Sequence, residues 1–205
     1  MNGQALRDAV GQLFFRNGYE ETADRVPIDS LAVQHPDSVM YAASPWWILR
    51  WLLPKSTVRP GDVFVEFGCG KGRVVLDAAR RYPFSRVVGV ELAPELSEIA
   101  RGLVERERGR LRCPDVRIET MSAPDFPIPD DMTHAYLYNP FNGPTFERVC
   151  ANIVASLDRA PRPLRVMYLH PADHDTLVGT GRFRLVRRVR TTRLVDETAA
   201  IYEAA

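Results

Sequence analysis

The sequence has 205 residues, enough for one α/β domain with a substantial core and too few for two comfortable domains. Hydrophobic residues make up 45% and charged residues 26%, which argues against a disordered chain. Because 27 basic residues nearly balance 26 acidic ones, the net charge of +1 does not favour a nucleic-acid partner. The sequence shows no secretory signal pattern and no apolar run of membrane-spanning length, so we expect a cytoplasmic protein without membrane contact.

The chain is predicted to divide near residue 58. Residues 1–57 are expected to form an N-terminal helical extension or lid, with a first helix over Ala5–Phe15 and a loop from about Glu20 to Ser44. Ser44 and Pro45 resemble an N-cap and a first-turn proline, and they predict a helix over Trp46–Leu53. Its tryptophans, four residues apart at 47 and 51, either pack on the domain or line a substrate pocket.

Residues 58–205 show alternating strand and helix patterns. The predicted strands are Val63–Phe67, Arg86–Leu92, Val116–Glu119, Ala135–Tyr138, Leu164–Leu169, Phe183–Val189 and Ala199–Tyr202. The predicted helices are Gly72–Arg81, Pro94–Arg110, Pro144–Leu157 and Ala172–Val178. This alternation predicts an α/β fold with a Rossmann-like, doubly wound and mostly parallel sheet. The short connection between the last two strands predicts a C-terminal antiparallel hairpin.

Two features of composition are assigned no catalytic role. Cys69, Cys113 and Cys150 are odd in number and scattered, so we expect a reduced protein with no structural zinc. The densest basic run, Arg182 to Arg193, partly alternates with apolar residues. It is typical of a solvated strand face more than of a nucleic-acid site.

The strongest local signal is the run Val65-Glu66-Phe67-Gly68-Cys69-Gly70-Lys71-Gly72-Arg73. It follows a strand and opens a helix, where glycines permit a tight turn and close approach of a nucleotide-like ligand. A dinucleotide fingerprint would place its third glycine where Arg73 stands, and the long arginine would hinder close helix–strand packing. Glu66 suits a cationic ligand group better than a pyrophosphate, which favours S-adenosylmethionine with its ammonium group.

A second carboxylate, Glu91, falls at the end of the next predicted strand. At that position it can accept hydrogen bonds from both hydroxyls of an adenosine ribose. The alternative is a surface glutamate that caps the helix beginning at Pro94. Its register with the glycine turn favours the binding role.

In these residues the chain resembles the class I S-adenosylmethionine-dependent methyltransferases, and it is similar to the seven-strand lysine methyltransferases over Val63 to Ala100. The resemblance implies a seven-stranded sheet with a final antiparallel hairpin. It also implies that Glu66 and the Gly68–Gly72 turn, including Cys69 and Gly70, hold the methionyl end of the cofactor. Glu91 would then bind the ribose and Leu92 would lie against the adenine.

The resemblance implies further cofactor contacts on both sides of this region. The family usually has an acidic or amide residue after the third strand, where this chain has Ser122 followed by Ala123, with Asp125 as the second candidate. In the lysine-methyltransferase resemblance a tyrosine upstream lines the cofactor cleft, which implies Tyr41 and its neighbour Ser44. Plain packing of the lid is the alternative for those two residues.

The predicted catalytic residues lie at the ends of the fourth and fifth strands. The run Tyr138-Asn139-Pro140-Phe141 resembles a variant of the N-P-P-Y/F motif of amino methyltransferases, lacking one proline. This resemblance implies that Asn139 touches substrate or cofactor; a turn asparagine is the alternative. His170 is a candidate base, and a loop or cap role or a metal shared with His174 are its alternatives. No third metal ligand is evident, so we predict no metal.

The sequence therefore predicts methyl transfer from S-adenosylmethionine to a small molecule or a protein side chain. Two other functions stay open. One is non-methyl chemistry on the same cofactor, such as intramolecular cyclisation, and the other is a non-catalytic binding subunit. The acceptor atom and the oligomeric state are not specified by the sequence.

Overall fold

A computed structural model of the protein describes Leu31, Asp37 and residues 42–190 and 198–204. The helix expected over Ala5–Phe15 and the cofactor-cleft candidate Tyr41 lie outside the described residues. The N-terminal extension and its boundary at residue 58 therefore stay predictions.

The described residues form one seven-stranded sheet with α-helices on both faces. The strands are β1 (Val63–Phe67), β2 (Arg86–Glu91), β3 (Asp115–Thr120), β4 (Met132–Tyr138), β5 (Arg165–Leu169), β6 (Phe183–Arg190) and β7 (Thr198–Ala204). The helices are α1 (Ile48–Leu52), α2 (Arg73–Arg81), α3 (Pro94–Glu107), α4 (Gly143–Arg159) and α5 (His174–Gly179). Each predicted strand and helix of the main domain is present, with bounds shifted by a few residues.

The strand order is β3-β2-β1-β4-β5-β7-β6. The pairs from β3 to β5 are parallel, and β7 pairs antiparallel with both β5 and β6. The predicted doubly wound sheet and its antiparallel hairpin are confirmed. Because the chain leaves β1 toward β2 and later returns to β4 on its other side, the strand order reverses between β1 and β4. Ligands of open α/β sheets bind at the carboxyl ends of the strands beside such a reversal.

Two buried layers hold the helices on the sheet. Successive strand residues point to opposite faces, so Phe64 joins the layer of α1, α2 and α3, whereas Val65 joins the layer of α4 and α5. Both side chains are fully buried. This covered, apolar sheet is why the parallel strands read as short continuous hydrophobic runs.

The first described helix differs from its prediction. α1 spans only Ile48–Leu52, and its N-cap is Trp47 with no side-chain cap, so the N-cap role predicted for Ser44 is wrong. The Ser44 hydroxyl instead forms a buried hydrogen bond of 2.9 Å with the Tyr136 hydroxyl. The rings of Trp47 and Trp51 pack at a tilt, with centroids 4.8 Å apart and planes at 57°, and Trp51 is half exposed.

The described part of the basic run contains the edge strand β6, whose residues 184–188 are exposed. The predicted solvated strand is confirmed, although a register shift between Leu185 and Arg187 interrupts its alternation. Within the described ranges, no helix is both long and apolar enough to cross a membrane.

Candidate functional site

A cavity opens at the carboxyl ends of β1, β2 and β4, beside the point where the strand order reverses. Several predicted cofactor residues line it, namely Ser44, Glu66, Gly68, Cys69, Glu91, Leu92, Ser122 and Ala123, together with the predicted catalytic Tyr138. These residues line one cavity although they span 95 positions of the sequence, from Ser44 to Tyr138. The binding role of each residue stays a prediction.

The glycine turn after β1 is held against the end of β2. The backbone amides of Gly68 and Cys69 both donate to the Val90 carbonyl, at 2.8 and 3.0 Å. Gly68 has a φ of +71°, and a Cβ atom there would lie 2.3 Å from the Cβ of Pro140. Glycine is therefore required for both reasons, and the turn abuts the segment that follows β4.

Gly72, at the end of the glycine turn, makes a close contact with α3. Its φ is +78°, and an added Cβ would lie 2.8 Å from the Cβ of Ala100 in α3. Arg73, the next residue, begins α2, is only 5% exposed and lines the cavity. Neither Gly70 nor Gly72 lines the cavity itself.

Glu66 lines the cavity and is the penultimate residue of β1. Its side chain is 4% exposed, and Oε2 accepts a 3.0 Å hydrogen bond from the Val75 amide in the first turn of α2. Burial raises the pKa of Glu66 well above its usual value, an effect that the Val75 amide opposes and the nearby Glu91 reinforces. A buried carboxylate of this kind is stabilised by a cationic ligand group.

Glu91 closes the opposite side of the same turn. Its Oε2 accepts a 2.8 Å hydrogen bond from the Gly70 amide, and its Oε1 accepts one of 2.9 Å from the Ala93 amide at the start of α3. Burial raises the pKa of Glu91, and these backbone bonds lower it. The carboxylate is thus buried at the cavity wall while it also holds the turn before α3. Because each carboxylate oxygen has two lone pairs, these bonds leave acceptor capacity for ribose hydroxyls.

The residues after β3 separate into two groups. Ser122 and Ala123 line the cavity, where they begin the short 3-10 helix Ala123–Asp125. Asp125, the second candidate for the adenine contact, is not among the lining residues. Its side chain is 65% exposed and pairs with Arg148 at 3.3 Å. The geometry therefore disfavours Asp125 as a cofactor ligand.

Asn139 is not among the residues that line the cavity, and its contact with substrate or cofactor stays a prediction. It has a left-handed backbone with φ of +39°, which turns it out of the strand direction. In the amide orientation that satisfies its neighbours, Asn142 donates to Asn139 Oδ1 at 2.7 Å and to Asp173 Oδ2 at 3.1 Å. The Tyr168 hydroxyl also donates to Asn139 Oδ1, at 3.4 Å. The amide oxygen that an amino-group acceptor would need is thus engaged by neighbouring side chains.

His170 lies behind Tyr138 and does not reach the cavity wall. The two rings stack nearly parallel, with centroids 5.6 Å apart and an angle of 17°. His170 also has a left-handed backbone, with φ of +51°. His174 Nδ1 forms a 2.8 Å hydrogen bond with the Tyr202 hydroxyl. In the part of the chain that the structure describes, no group of three or more side chains could hold a metal ion.

Several lining residues were not predicted as cofactor-binding or catalytic residues. They are Leu31, Ala42, Ala43, Arg73, Val74, Val90, Ala93, Leu96, Met121, Pro124, Pro140, Phe141 and Thr145. Most are apolar residues that carry no local chemical signal. Thr145 also carries no local signal in the sequence. Its hydroxyl and its amide both donate to Asp37 Oδ2, at 2.8 and 3.3 Å, a contact that only the structure shows.

Comparison with known proteins agrees with this fold. A family model described as a methyltransferase domain matches residues 64–160. A protein-lysine N-methyltransferase of Saccharolobus islandicus is 31% identical over 68 residues, which cover 33% of this chain and 42% of that protein. A ribosomal protein L11 methyltransferase of Burkholderia mallei is 31% identical over 81 residues, covering 37% of this chain and 26% of that protein. The chain thus matches less than half the length of either relative.

Solved structures show the same fold over most of the chain. An RNA methyltransferase from Salinibacter ruber, in complex with S-adenosyl-L-homocysteine, has a TM-score of 0.58 and 23% identity, covering 80% of this chain and 94% of that one. Magnesium protoporphyrin IX methyltransferase from Synechocystis, with bound SAM, has a TM-score of 0.57 and 17% identity, covering 77% and 76%. Residues 64–160 thus match a methyltransferase domain, and the chain shares its fold with solved methyltransferase structures.

Proposed function

We propose that the protein binds S-adenosylmethionine in the cavity and transfers its methyl group to a small molecule or a protein side chain. The observation that carries the proposal is the placement of two buried carboxylates, Glu66 and Glu91, on either side of one glycine turn. Methyltransferase relatives, which this chain matches over less than half of their length, support the chemistry.

The donor set of the cavity fits this cofactor. S-adenosylmethionine presents an ammonium group, two ribose hydroxyls and an adenine, and it has no phosphate. Glu66 offers a negative charge for the ammonium and Glu91 offers acceptors for the hydroxyls, whereas two carboxylates would repel a pyrophosphate. Leu92 and Ala123 provide apolar surface for a flat base on the side of β2 and β3.

The remaining wall is where an acceptor would approach. When bound, the sulfonium of the cofactor supplies an activated methyl group, so the protein mainly positions the acceptor for in-line attack. Tyr138, Pro140 and Phe141 at the end of β4 line that part of the cavity. His170 stacks on the Tyr138 ring and restricts the orientation of that ring toward the acceptor. A base would be needed only for an acceptor that arrives protonated.

A two-stage experiment tests the proposal. Isothermal titration calorimetry measures binding of S-adenosylmethionine and S-adenosylhomocysteine, and a complete lack of heat would overturn the cofactor assignment. The second stage uses a labelled methyl donor with cell extract, separated into protein and small-molecule fractions. Label in either fraction, accompanied by S-adenosylhomocysteine, is the expected result.

The product identifies the chemistry. Formation of methylthioadenosine in place of S-adenosylhomocysteine would favour non-methyl chemistry such as cyclisation. Binding without turnover in any fraction would favour a non-catalytic subunit. As a matched test of the acceptor wall, Tyr138→Ala should reduce labelling strongly and leave cofactor affinity within about twofold, because aromatic packing against the acceptor is lost while the cofactor contacts remain.

A further inference from the structure

We propose that the outer edge of β6 binds an extended, acidic segment of a partner protein, which adds a further strand to the sheet. β6 is the last strand in the order of the sheet, and among the described strands it pairs only with β7. Its outer edge therefore presents backbone N–H and C=O groups with which another extended chain can form hydrogen bonds. This surface lies outside the cavity, and the inference does not depend on the proposed function.

The charge of β6 has one sign. Over Phe183–Arg190 the strand carries four arginines and no acidic residue. Arg184 pairs with Glu203 of β7 at 2.8 Å. Arg187 and Arg188 are both exposed, and no acidic side chain of the described residues forms an ion pair with either of them. Their guanidinium groups can therefore bind carboxylates of a partner.

Arg187 and Arg188 lie on opposite faces of the sheet beside this edge. Arg187 is opposite Ile201, which packs in the layer of α1, α2 and α3, whereas Arg188 is opposite Ala200, which packs in the layer of α4 and α5. The register shift in β6 leaves Val186 outside the pairing with β7, and its side chain is 45% exposed. An extended partner would thus meet an arginine on each face and apolar surface beside them.

The other edge of the sheet lacks this pattern. β3, the first strand in the order, carries Asp115, Arg117 and Glu119, and its arginine pairs with Asp115 at 2.7 Å. Its net charge is negative and would repel an acidic segment. Charges on an edge strand also oppose pairing with unselected strands, and the arginines of β6 would repel the same strand of a second copy. The charge pattern therefore selects an acidic partner for β6 alone.

A protein segment fits this edge better than a nucleic acid does. A nucleic acid could contact the arginines, but it would leave the backbone edge of the strand unpaired. Single-stranded nucleic acids also stack their bases on aromatic side chains, and the exposed part of β6 has none, because Phe183 is buried. The exposed Leu185 and Val186 suit the apolar side chains of a peptide.

β6 leads toward the edge of the sheet at which the cavity opens. It is antiparallel to β7, which is antiparallel to β5, so β6 runs in the same direction as β4 and β5. Its end at Arg190 therefore lies at the carboxyl edge, three strands along from β4 in the sheet order, or about 14 Å away. A partner protein bound to β6 would thus be held beside the opening of the cavity.

The test uses fluorescent peptides of eight residues, the length of β6, with the full chain. An alternating Glu-Val peptide supplies charge and a backbone edge, an alternating Glu-Pro peptide keeps the charge and loses half of the N–H donors, and a Lys-Val peptide reverses the charge. The variants are Arg187→Gln/Arg188→Gln and the charge-matched control Arg108→Gln/Arg110→Gln, whose arginines are exposed after α3. Fluorescence anisotropy at low salt measures binding, and urea denaturation verifies that both variants fold.

The wild type should bind the Glu-Val peptide at least about tenfold more tightly than the Glu-Pro and Lys-Val peptides, because only the first matches both the charge and the backbone edge. Arg187→Gln/Arg188→Gln should weaken this binding about fivefold to thirtyfold, and the control should stay within about twofold of the wild type. Hydrogen exchange should show protection of the β6 amides when the peptide binds, with no change in β3.

Four results would overturn the proposal. A wild type that does not bind the Glu-Val peptide has no such docking edge. Equal affinity for the two acidic peptides would show a general anion surface without strand addition. Tighter binding of an oligouridylate of equal charge would make the partner a nucleic acid. A dimer in sedimentation whose interface protects the β6 amides would make it a second copy of this chain. None of these results bears on cofactor binding, so the proposed function is tested separately.

Discussion

The carboxylate of Glu91 and the backbone amide of Gly70 form a 2.8 Å hydrogen bond that joins the end of β2 to the glycine turn after β1. The same carboxylate accepts the Ala93 amide, so one side chain orders the turns before both α2 and α3. Glu91 is thus part of the scaffold of the cavity as well as a candidate ligand for the ribose. A useful substitution has to separate these two roles.

Glu91→Gln and Glu91→Ala should both weaken S-adenosylhomocysteine binding, the alanine variant by more than about tenfold, because the ribose hydroxyls lose a charged acceptor. Titration calorimetry measures the affinity, and thermal unfolding without ligand reports the scaffold role separately. Glu98→Gln, an exposed glutamate of α3 that pairs with Arg101, is the control and should change neither value. An unchanged affinity in Glu91→Ala would remove the ribose assignment.

Gly68→Ala should destabilise the protein by about 2 kcal/mol or more, since a left-handed backbone and a close contact act together. The added Cβ would meet Pro140 at 2.3 Å with φ at +71°. Gly102→Ala is the matched control, because Gly102 lies inside α3 with open space around it, and alanine there should stabilise the helix by up to about 1 kcal/mol. Urea denaturation of both variants checks the contrast. Equal stability of Gly68→Ala and wild type would show that the turn and Pro140 are not in contact.

The fold and the carboxylates were predictable because their signals are local. The strand β1 has the predicted bounds, and β2 ends one residue earlier than expected. Glu66, Gly68 and Glu91 lie in or beside those strands, so their position at one edge of the sheet follows from strand periodicity and chain direction. The carboxyl ends of the strands of a parallel sheet lie at the same edge, independently of the conformation of the loops.

Residues whose direction depends on distant backbone were not predictable. Asn139 belongs to a motif that suggests an acceptor contact, but its left-handed conformation turns the side chain toward Asn142 and Tyr168. A positive φ at a non-glycine residue has no dependable sequence signature.

Glu66→Gln should stabilise the cofactor-free protein and weaken its binding of S-adenosylmethionine. Burial raises the pKa of Glu66 well above its ordinary value of 4.5, so the folded state holds this proton more tightly than the unfolded chain. This tighter proton binding contributes to the free energy of unfolding. The contribution is fully present below the ordinary pKa of the carboxyl group and is lost as the pH rises through the pKa of Glu66 in the folded state. Glutamine keeps an oxygen for the Val75 amide and removes the buried charge.

Urea denaturation as a function of pH checks this expectation. The free energy of unfolding of Glu66→Gln should exceed that of the wild type at about pH 8, and the difference should vanish near about pH 4, where the carboxyl is protonated in both states. Calorimetry in buffers of different ionisation enthalpy should also show proton release when wild type binds the cofactor, and none from this site in the variant. A pH-independent stability difference would contradict the assignment of a buried, raised pKa.

Asp37→Ala should destabilise the start of α4, because Asp37 caps this helix although it is distant in sequence. Its Oδ2 accepts hydrogen bonds from the Thr145 amide and hydroxyl in the first turn of α4, and its carbonyl accepts the Asn142 amide. No side chain caps α4 from its own N-cap residue. Loss of the Asp37 carboxylate should therefore reduce stability by about 1 kcal/mol, the usual value of a helix cap.

The same variant should release the cofactor faster. Leu31 and residues 42–44, which lie on either side of Asp37 in sequence, line the cavity. The hydrogen bonds between Asp37 and Thr145 therefore connect this part of the chain to α4, next to the proposed acceptor side of the cavity. Stopped-flow displacement of S-adenosylhomocysteine measures the dissociation rate, and Thr145→Val, which removes only the hydroxyl partner, should give a smaller increase in the same direction. Asp125→Ala is the control, since the exposed Asp125–Arg148 pair contributes little to stability and lies outside the cavity. If Asp37→Ala and Asp125→Ala give the same rate as the wild type, Asp37 serves only as a helix cap and has no influence on the cavity.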